Sequence, residues 1–282
     1  MTAIQISKLH ATGNDFIVTR AKVAGAEAVL LCDRQHGIGA DGLLLLGPGA
    51  DGSDATMTLF NADGGSAEMS GNGARCIAWA ARRAGYGSPD RLIVDTGGGR
   101  RALDLVLDAQ GDVRYATCDM GAVTFDPSVI PLDAASSFDL IAIVGDVEYI
   151  GDAAGIGNPH LVLLVEDPEQ VDVTNHGPVL EHDVRFPTRT NVEFISCTPG
   201  EANAIDMRVW ERGVGETLSC GTGACASAAV AHRRGLVGDE VSVHVRGGDL
   251  SVALGSRIRL GGPVVHQFDR EIDLSELRDR RT

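Results

Sequence analysis

The sequence is short of positive charge. Its 24 Lys and Arg face 39 Asp and Glu, a formal net charge of −15, which argues against nucleic acid or an anionic membrane surface as a partner. Long apolar runs are missing too, and none approaches the roughly 20 residues that a bilayer span needs. The opening Met1-Thr2-Ala3-Ile4-Gln5-Ile6-Ser7-Lys8 lacks the basic start, apolar core and small-residue cleavage site of an export signal. The expectation is a cytoplasmic protein whose six cysteines are reduced thiols. No histidine pair stands at metal-site spacing from Cys220 and Cys225, so no metal is expected. Neither a Walker lysine loop nor a Rossmann strand-loop-acid arrangement is present, and no other cofactor is signalled. Cys32, Cys76, Cys118 and Cys197 lie in apolar or strand-like surroundings and read as small core residues.

What the chain does have is one organising stretch, Leu218-Ser219-Cys220-Gly221-Thr222-Gly223-Ala224-Cys225-Ala226-Ser227-Ala228-Ala229-Val230-Ala231. A Gly-rich turn runs into an Ala-rich segment with no breaker before Gly235, which predicts a loop delivering Cys220 to the first turn of a helix buried on all sides. A thiol there meets unpaired N–H groups and the positive end of the helix dipole, which favour the thiolate. The same N–H groups can seat a carboxylate.

The element occurs twice. Moving back 150 positions gives Ser70-Gly71-Asn72-Gly73-Ala74-Arg75-Cys76-Ile77-Ala78-Trp79-Ala80-Ala81. The same shift sets Asn61 opposite Glu211, Phe60 opposite Trp210 and Gly97-Gly98 opposite Gly247-Gly248. Gly13-Asn14-Asp15-Phe16 resembles Gly157-Asn158-Pro159-His160 at a slightly different offset. This order predicts a duplicated unit and two domains rather than a solenoid. The two glycine turns are expected to face one shared cleft. Gly121 to Ser137 carries two prolines and no strong period, and serves as the junction between domains at 1–120 and 121–265. The charged segment Glu271 to Thr282 reads as a surface tail. Many short strands with one apolar helix per half give an α+β class.

The motifs Phe60-Asn61-Ala62-Asp63-Gly64, Gly71-Asn72-Gly73-Ala74-Arg75-Cys76, Gly157-Asn158-Pro159-His160, Arg189-Thr190-Asn191-Val192-Glu193-Phe194, Glu211-Arg212-Gly213 and Cys220-Gly221-Thr222-Gly223-Ala224-Cys225 together resemble the diaminopimelate epimerase family. The resemblance runs from His10 to the Gly262-Pro263 turn. It implies two homologous domains, each a barrel-like sheet wrapped around a central helix, with 266–282 returning to the first. It also implies cofactor-independent interconversion of LL- and meso-2,6-diaminopimelate in lysine and peptidoglycan biosynthesis, and a homodimer.

Epimerising an amino acid without a cofactor needs a base on one face of the α-carbon, an acid on the other, and donors for charge developing on the carboxylate. Cys220 is the first choice of base, against the plain reading of a packed helix-start cysteine. Ser70 holds the opposing position, where the family has its other cysteine, and serine is also an ordinary N-cap. A hydroxyl is a far weaker acid than a thiol, so turnover is expected to be impaired. His160 and Glu211 match positions that tune the two thiols in the family. Asn14, Asn61, Asn158 and Asn191 could be turn formers singly; as a set they suit a substrate with several amino and carboxylate groups. Arg212 suits a distal carboxylate and Glu211 a distal ammonium, while in the family Gly71, Asn72, Gly221 and Thr222 seat the reacting carboxylate. Gly42 stands where some relatives carry glutamine. The alternatives are a related racemase, epimerase or dehydratase acting on another amino acid, and a non-catalytic amino-acid binding protein.

Overall fold

Both Ala/Gly-rich runs are helices of 13 residues, Gly71–Arg83 and Gly221–Arg233. Ser70 and Cys220 are their N-caps, each accepting from the N–H three residues on. Gly85 and Gly235 end them at positive φ. Tyr86 N–H returns to the Ala81 carbonyl and Leu236 N–H to that of Ala231, the closure that a left-handed glycine after a helix permits. Residues 71 to 81 of the first helix are all buried, as are Gly221 and residues 223 to 231 of the second. Small side chains let strands approach such helices from every side.

The computed structural model describes residues 3–279. One unit comprises the described residues up to Cys118 together with those from Gly262 onward, and the other is Asp119–Gly261. The first contains β1 (Ala3–Ala11), β2 (Asn14–Thr19), α1 (Gly25–Cys32), β3 (Gly42–Pro48), β4 (Ala55–Asn61), β5 (Ser66–Ala67), α2 (Gly71–Arg83), β6 (Arg91–Thr96), β7 (Gly99–Leu107) and β8 (Val113–Gly121). Antiparallel β1–β2 leads through α1 to parallel β2–β3; antiparallel β3–β4 leads through α2 to parallel β4–β6, followed by antiparallel β7 and β8. Helix α2 touches β1, β2, β3, β4 and β7, so the sheet curls around it.

The second unit contains β9 (Leu140–Val144), β10 (Val147–Gly155), β11 (Pro159–Leu164), α3 (Val173–Glu181), β12 (Asn191–Cys197), β13 (Ala204–Glu211), β14 (Gly215–Thr217), α4 (Gly221–Arg233), β15 (Glu240–Val245), β16 (Gly248–Ala253) and β17 (Ile258–Pro263). From β10 onward it repeats the pairings of the first, element for element, around α4. The repeat extends to one more strand. β9 pairs antiparallel with β10, and β18 (Val265–Asp273), arriving from the far end of the chain, pairs antiparallel with β1. The mixed, sheet-dominated α+β fold follows the expected plan.

Four details differ from the sequence reading. The Glu271 to Thr282 tail is not a surface segment throughout its described part. Ile272, Leu274 and Leu277 enter the apolar cluster of β1 and α1, because a short helix, α5 (Leu274–Asp279), turns its leucines inward. Residues 280–282 lie outside the described part. Helix α3 and strand β10 escape the sequence pattern because each contains apparent breakers. Gly177 and Pro178 sit inside α3, where a Cβ on Gly177 would lie 2.5 Å from the Trp210 ring. Gly151 in β10 lies too close to the Val162 carbonyl for any side chain. Gly262 and Pro263 close a strand, not a turn. Cys197 is exposed at the end of β12, unlike Cys32, Cys76 and Cys118, which are buried. Replacing Leu277, 4% exposed, by alanine is expected to cost about 2 kcal/mol, read as a lowered denaturant midpoint; an unchanged midpoint would mean α5 does not contribute to the core.

Candidate active site

Strand register builds the site of the second unit. Parallel β11 and β12 set His160 beside Asn191. β12 against β13 sets Val192 opposite Trp210, so Asn191 abuts the end of β13 at Glu211. The turn through β14, with Gly215 opposite Glu211, leads directly into α4. Asn158, His160, Asn191, Glu211, Arg212, Cys220, Gly221 and Thr222 are therefore gathered at one end of this sheet. Asn191 is buried and its amide braces the backbone, donating to the Pro159 carbonyl at 2.9 Å and accepting from Arg212 N–H at 3.0 Å. The Arg212 guanidinium donates to the Thr188 carbonyl at 2.9 Å and stays half-buried.

Cys220 is 5% exposed. Its sulfur accepts from Gly223 N–H at 3.3 Å and lies 3.5 Å from the Thr222 hydroxyl. The helix start was expected to favour the thiolate, but the surroundings reverse this. Burial pushes the thiol well above its ordinary range, the Glu211 and Glu193 carboxylates push the same way, and the Thr222 and Gly223 contacts offset only part of it. Glu211 is also pushed up by burial, against hydrogen bonds from Thr217, at 2.5 Å, and Cys220. Thiol and carboxyl thus favour their protonated forms together, an arrangement suited to giving as well as taking a proton.

Two partners in this site were not singled out from the sequence, Thr217 and Glu193. His160 Nδ1 lies 2.7 Å from Glu193 Oε1, with both side chains fully buried, and Nε2 lies 3.0 Å from Asn158 Oδ1. A signal for Glu193 existed. It is an acid interrupting the otherwise apolar Val192-Glu193-Phe194-Ile195, and a buried carboxylate requires a partner.

The first unit places its residues by the same register, with different chemistry. Phe16 pairs Gly42, which pairs Asn61. Phe16, Gly42, Asn61, Ser70 and Asn72 thus occupy the places of His160, Asn191, Glu211, Cys220 and Thr222. Within this unit, the register places beside the helix head carry neither imidazole nor carboxylate. Ser70 Oγ accepts from Gly73 N–H at 3.0 Å, so the hydroxyl is a working N-cap. A Cβ on Gly42 would lie 2.9 Å from the Phe60 carbonyl oxygen and 3.2 Å from Phe16, leaving little room for a side chain. Asn61 is exposed at the end of β4.

A charged network fixes the remaining polar side chains of this unit. Asn14 donates to Asp41 at 2.7 Å and accepts from Asn72 at 3.3 Å; Asn72 in turn accepts from buried Arg75 at 2.7 Å. Asp15, which takes ion pairs from Arg34 and buried Lys8, is held down to about 2: burial works upward, but the two cations outweigh it. Burial pushes the Cys76 thiol up to about 12, leaving it inert below the helix head. Among the described residues, no group of three or more His, Cys, Asp or Glu could hold a metal ion, and no helix is long and apolar enough to cross a membrane.

A family model described as diaminopimelate epimerase matches residues 6–125 and 153–259. The chain is 40% identical to a diaminopimelate epimerase of Pelotomaculum thermopropionicum over 280 residues, covering 95% of this chain and 98% of the relative. It is 38% identical to that of Burkholderia pseudomallei, with 96% and 99% covered. Among solved structures, a hydroxyproline epimerase from Agrobacterium vitis superposes with a TM-score of 0.75 at 17% identity, with 97% of this chain and 93% of that one covered. A phenazine biosynthesis protein from Bacillus anthracis gives 0.71 at 15% identity, with 96% and 99% covered. These two share the fold.

Proposed function

We propose that this chain, which belongs to the diaminopimelate epimerase family, is an isomerase that interconverts LL- and meso-2,6-diaminopimelate by proton transfer at the α-carbon, serving lysine and peptidoglycan-precursor synthesis. The observation that carries this reading is Cys220, a buried thiol that heads α4 and caps its first turn, with the Glu211 carboxyl among the groups that act on it. Cys220 exchanges the proton on one face of the α-carbon, and by family resemblance residue 70 is the opposing acid or base. N–H groups of Gly71, Asn72, Gly221 and Thr222, at the heads of their helices, supply the donors that a developing carboxylate-centred charge requires. Asn14, Asn61, Asn158, Asn191, Arg212 and Glu211 form the polar set for the amino and carboxylate groups, with Asn191 acting by bracing Arg212. No cofactor takes part in this scheme. By family resemblance the protein works in the cytoplasm as a homodimer.

One observation favours a second reading, an amino-acid binding protein: the Ser70 hydroxyl is already engaged as an N-cap and is a poor proton donor. Incubation with LL- and, separately, meso-diaminopimelate in deuterium oxide separates the two. The epimerase reading expects α-deuterium to enter whichever isomer presents its α-proton to Cys220, faster than the other isomer accumulates. Binding without α-exchange, in this protein and in its Ser70→Cys variant alike, would favour the binder.

A further inference from the structure

Glu193 is more deeply placed than any other acid near Cys220. It is fully buried on β12, flanked by Val192 and Phe194, and its Oε2 has no hydrogen-bond partner among the described residues. Its Oε1 meets two things. One is His160 Nδ1 at 2.7 Å. The other is the first turn of α4, where a Cβ on Gly223 would lie 2.6 Å from Oε1 and 3.2 Å from Cγ. Gly223 is the residue whose N–H caps the Cys220 sulfur. A carboxylate oxygen accepts, so the imidazole donates its Nδ1 proton to Glu193.

We propose that Glu193 is a positioning residue of the Cys220 site: its carboxylate, set between His160 and Gly223, fixes the imidazole through the Nδ1 proton and braces the turn that caps the sulfur. A side chain at 223 would displace the carboxylate. The first unit has Leu44 at the matching register position, paired with Leu59 on β4, and Phe16 in place of His160, so the device belongs to the second unit alone. The inference deepens the epimerase reading and rests on it for the meaning of the site.

Its test contains no substrate, so a wrong substrate leaves the result standing. Alkylation of Cys220 by iodoacetamide is followed across pH by mass spectrometry of the peptide that bears it, and the nitrogen resonances of His160 are followed by NMR. The groups acting on the sulfur are Glu211 and Glu193, with Thr222 and Gly223 as hydrogen-bonding neighbours, and His160 acts on Glu211. Glu193→Gln keeps the shape and an acceptor oxygen but removes a like charge. The alkylation midpoint should fall by roughly one pH unit, a tenfold faster reaction at a fixed pH below it, and the His160 Nδ1 resonance should move. Glu193→Asp keeps the charge but shortens the reach, so the Nδ1 resonance should move while the midpoint stays close to that of the parent. A carboxylate with only a packing role would lower the melting temperature and move neither signal in this pattern. Should Glu193→Gln not fold, Gly223→Ala tests the same contact from the helix side and should shift the His160 resonance without altering either partner. An unmoved Cys220 midpoint in folded Glu193→Gln, or an unmoved His160 resonance in folded Gly223→Ala, would overturn the proposal.

Discussion

Changing Ser70 to cysteine raises the rate of meso-diaminopimelate formation from the LL form by at least about 100-fold, and by up to about 10⁴-fold, the range that one positioned acid or base contributes. This corresponds to about 2.7 to 5.5 kcal/mol of barrier. Inversion needs a proton removed from one face and another delivered to the opposite face within the lifetime of an unstabilised carbanion. A thiol, with a pKa of about 8.5 in the open, can do either. The Ser70 hydroxyl cannot hold a useful anion, and within its own unit the register places that carry His160 and Glu211 in the other unit hold Phe16 and Asn61. Its one structural task, accepting from Gly73 N–H, is also within reach of sulfur, since Cys220 does the same for Gly223. The variant should therefore fold with an unchanged melting temperature and differ only in turnover. The measurement is meso product by chiral chromatography from equal amounts of both proteins. Equal rates would sink the claim that serine cripples this position and would require another proton donor opposite Cys220.

Local chemistry was the legible part of this chain. The helices α2 and α4 announce themselves through a capping residue, glycines and then alanines, because every feature that makes them helical lies within a few neighbouring positions. The duplication was legible for the same reason, as one short text printed twice. What stayed hidden depends on partners distant in sequence. β18 completes the sheet of the first unit beside β1, and only the family resemblance hinted at its return. The leucines of α5 read as part of a charged tail until their cavity beside α1 is known. Gly177 and Pro178 read as breakers although one gives Trp210 its space. The site divides in the same way. Cys220, His160 and Glu211 are named by their motifs, but burial first, and then the carboxylates that register brings around the thiol, push it upward against the helix dipole, and neither is visible in the local sequence.

Replacing Cys220 by alanine abolishes α-deuterium exchange, with a loss of at least about 100-fold, and the pH dependence of the parent shows why. Burial, Glu211 and Glu193 all push the Cys220 thiol upward, so the base form is scarce at neutral pH. With serine at position 70 the base in this scheme is the Cys220 thiolate. Exchange should therefore climb with pH through and beyond the ordinary thiol range, with no opposing limb from a second thiol. The sign follows from the cause: each like charge near the sulfur lowers the fraction of thiolate at a given pH, so removing one moves the rising limb to lower pH. Glu211→Gln removes a carboxylate whose charge pushes the thiol upward and should shift the limb downward. A shift upward would mean that Glu211 serves chiefly as the acceptor that draws the proton off Cys220. A flat profile in the parent, or exchange surviving in Cys220→Ala, would remove Cys220 from the chemistry and leave it the packed helix-start cysteine of the plainer sequence reading.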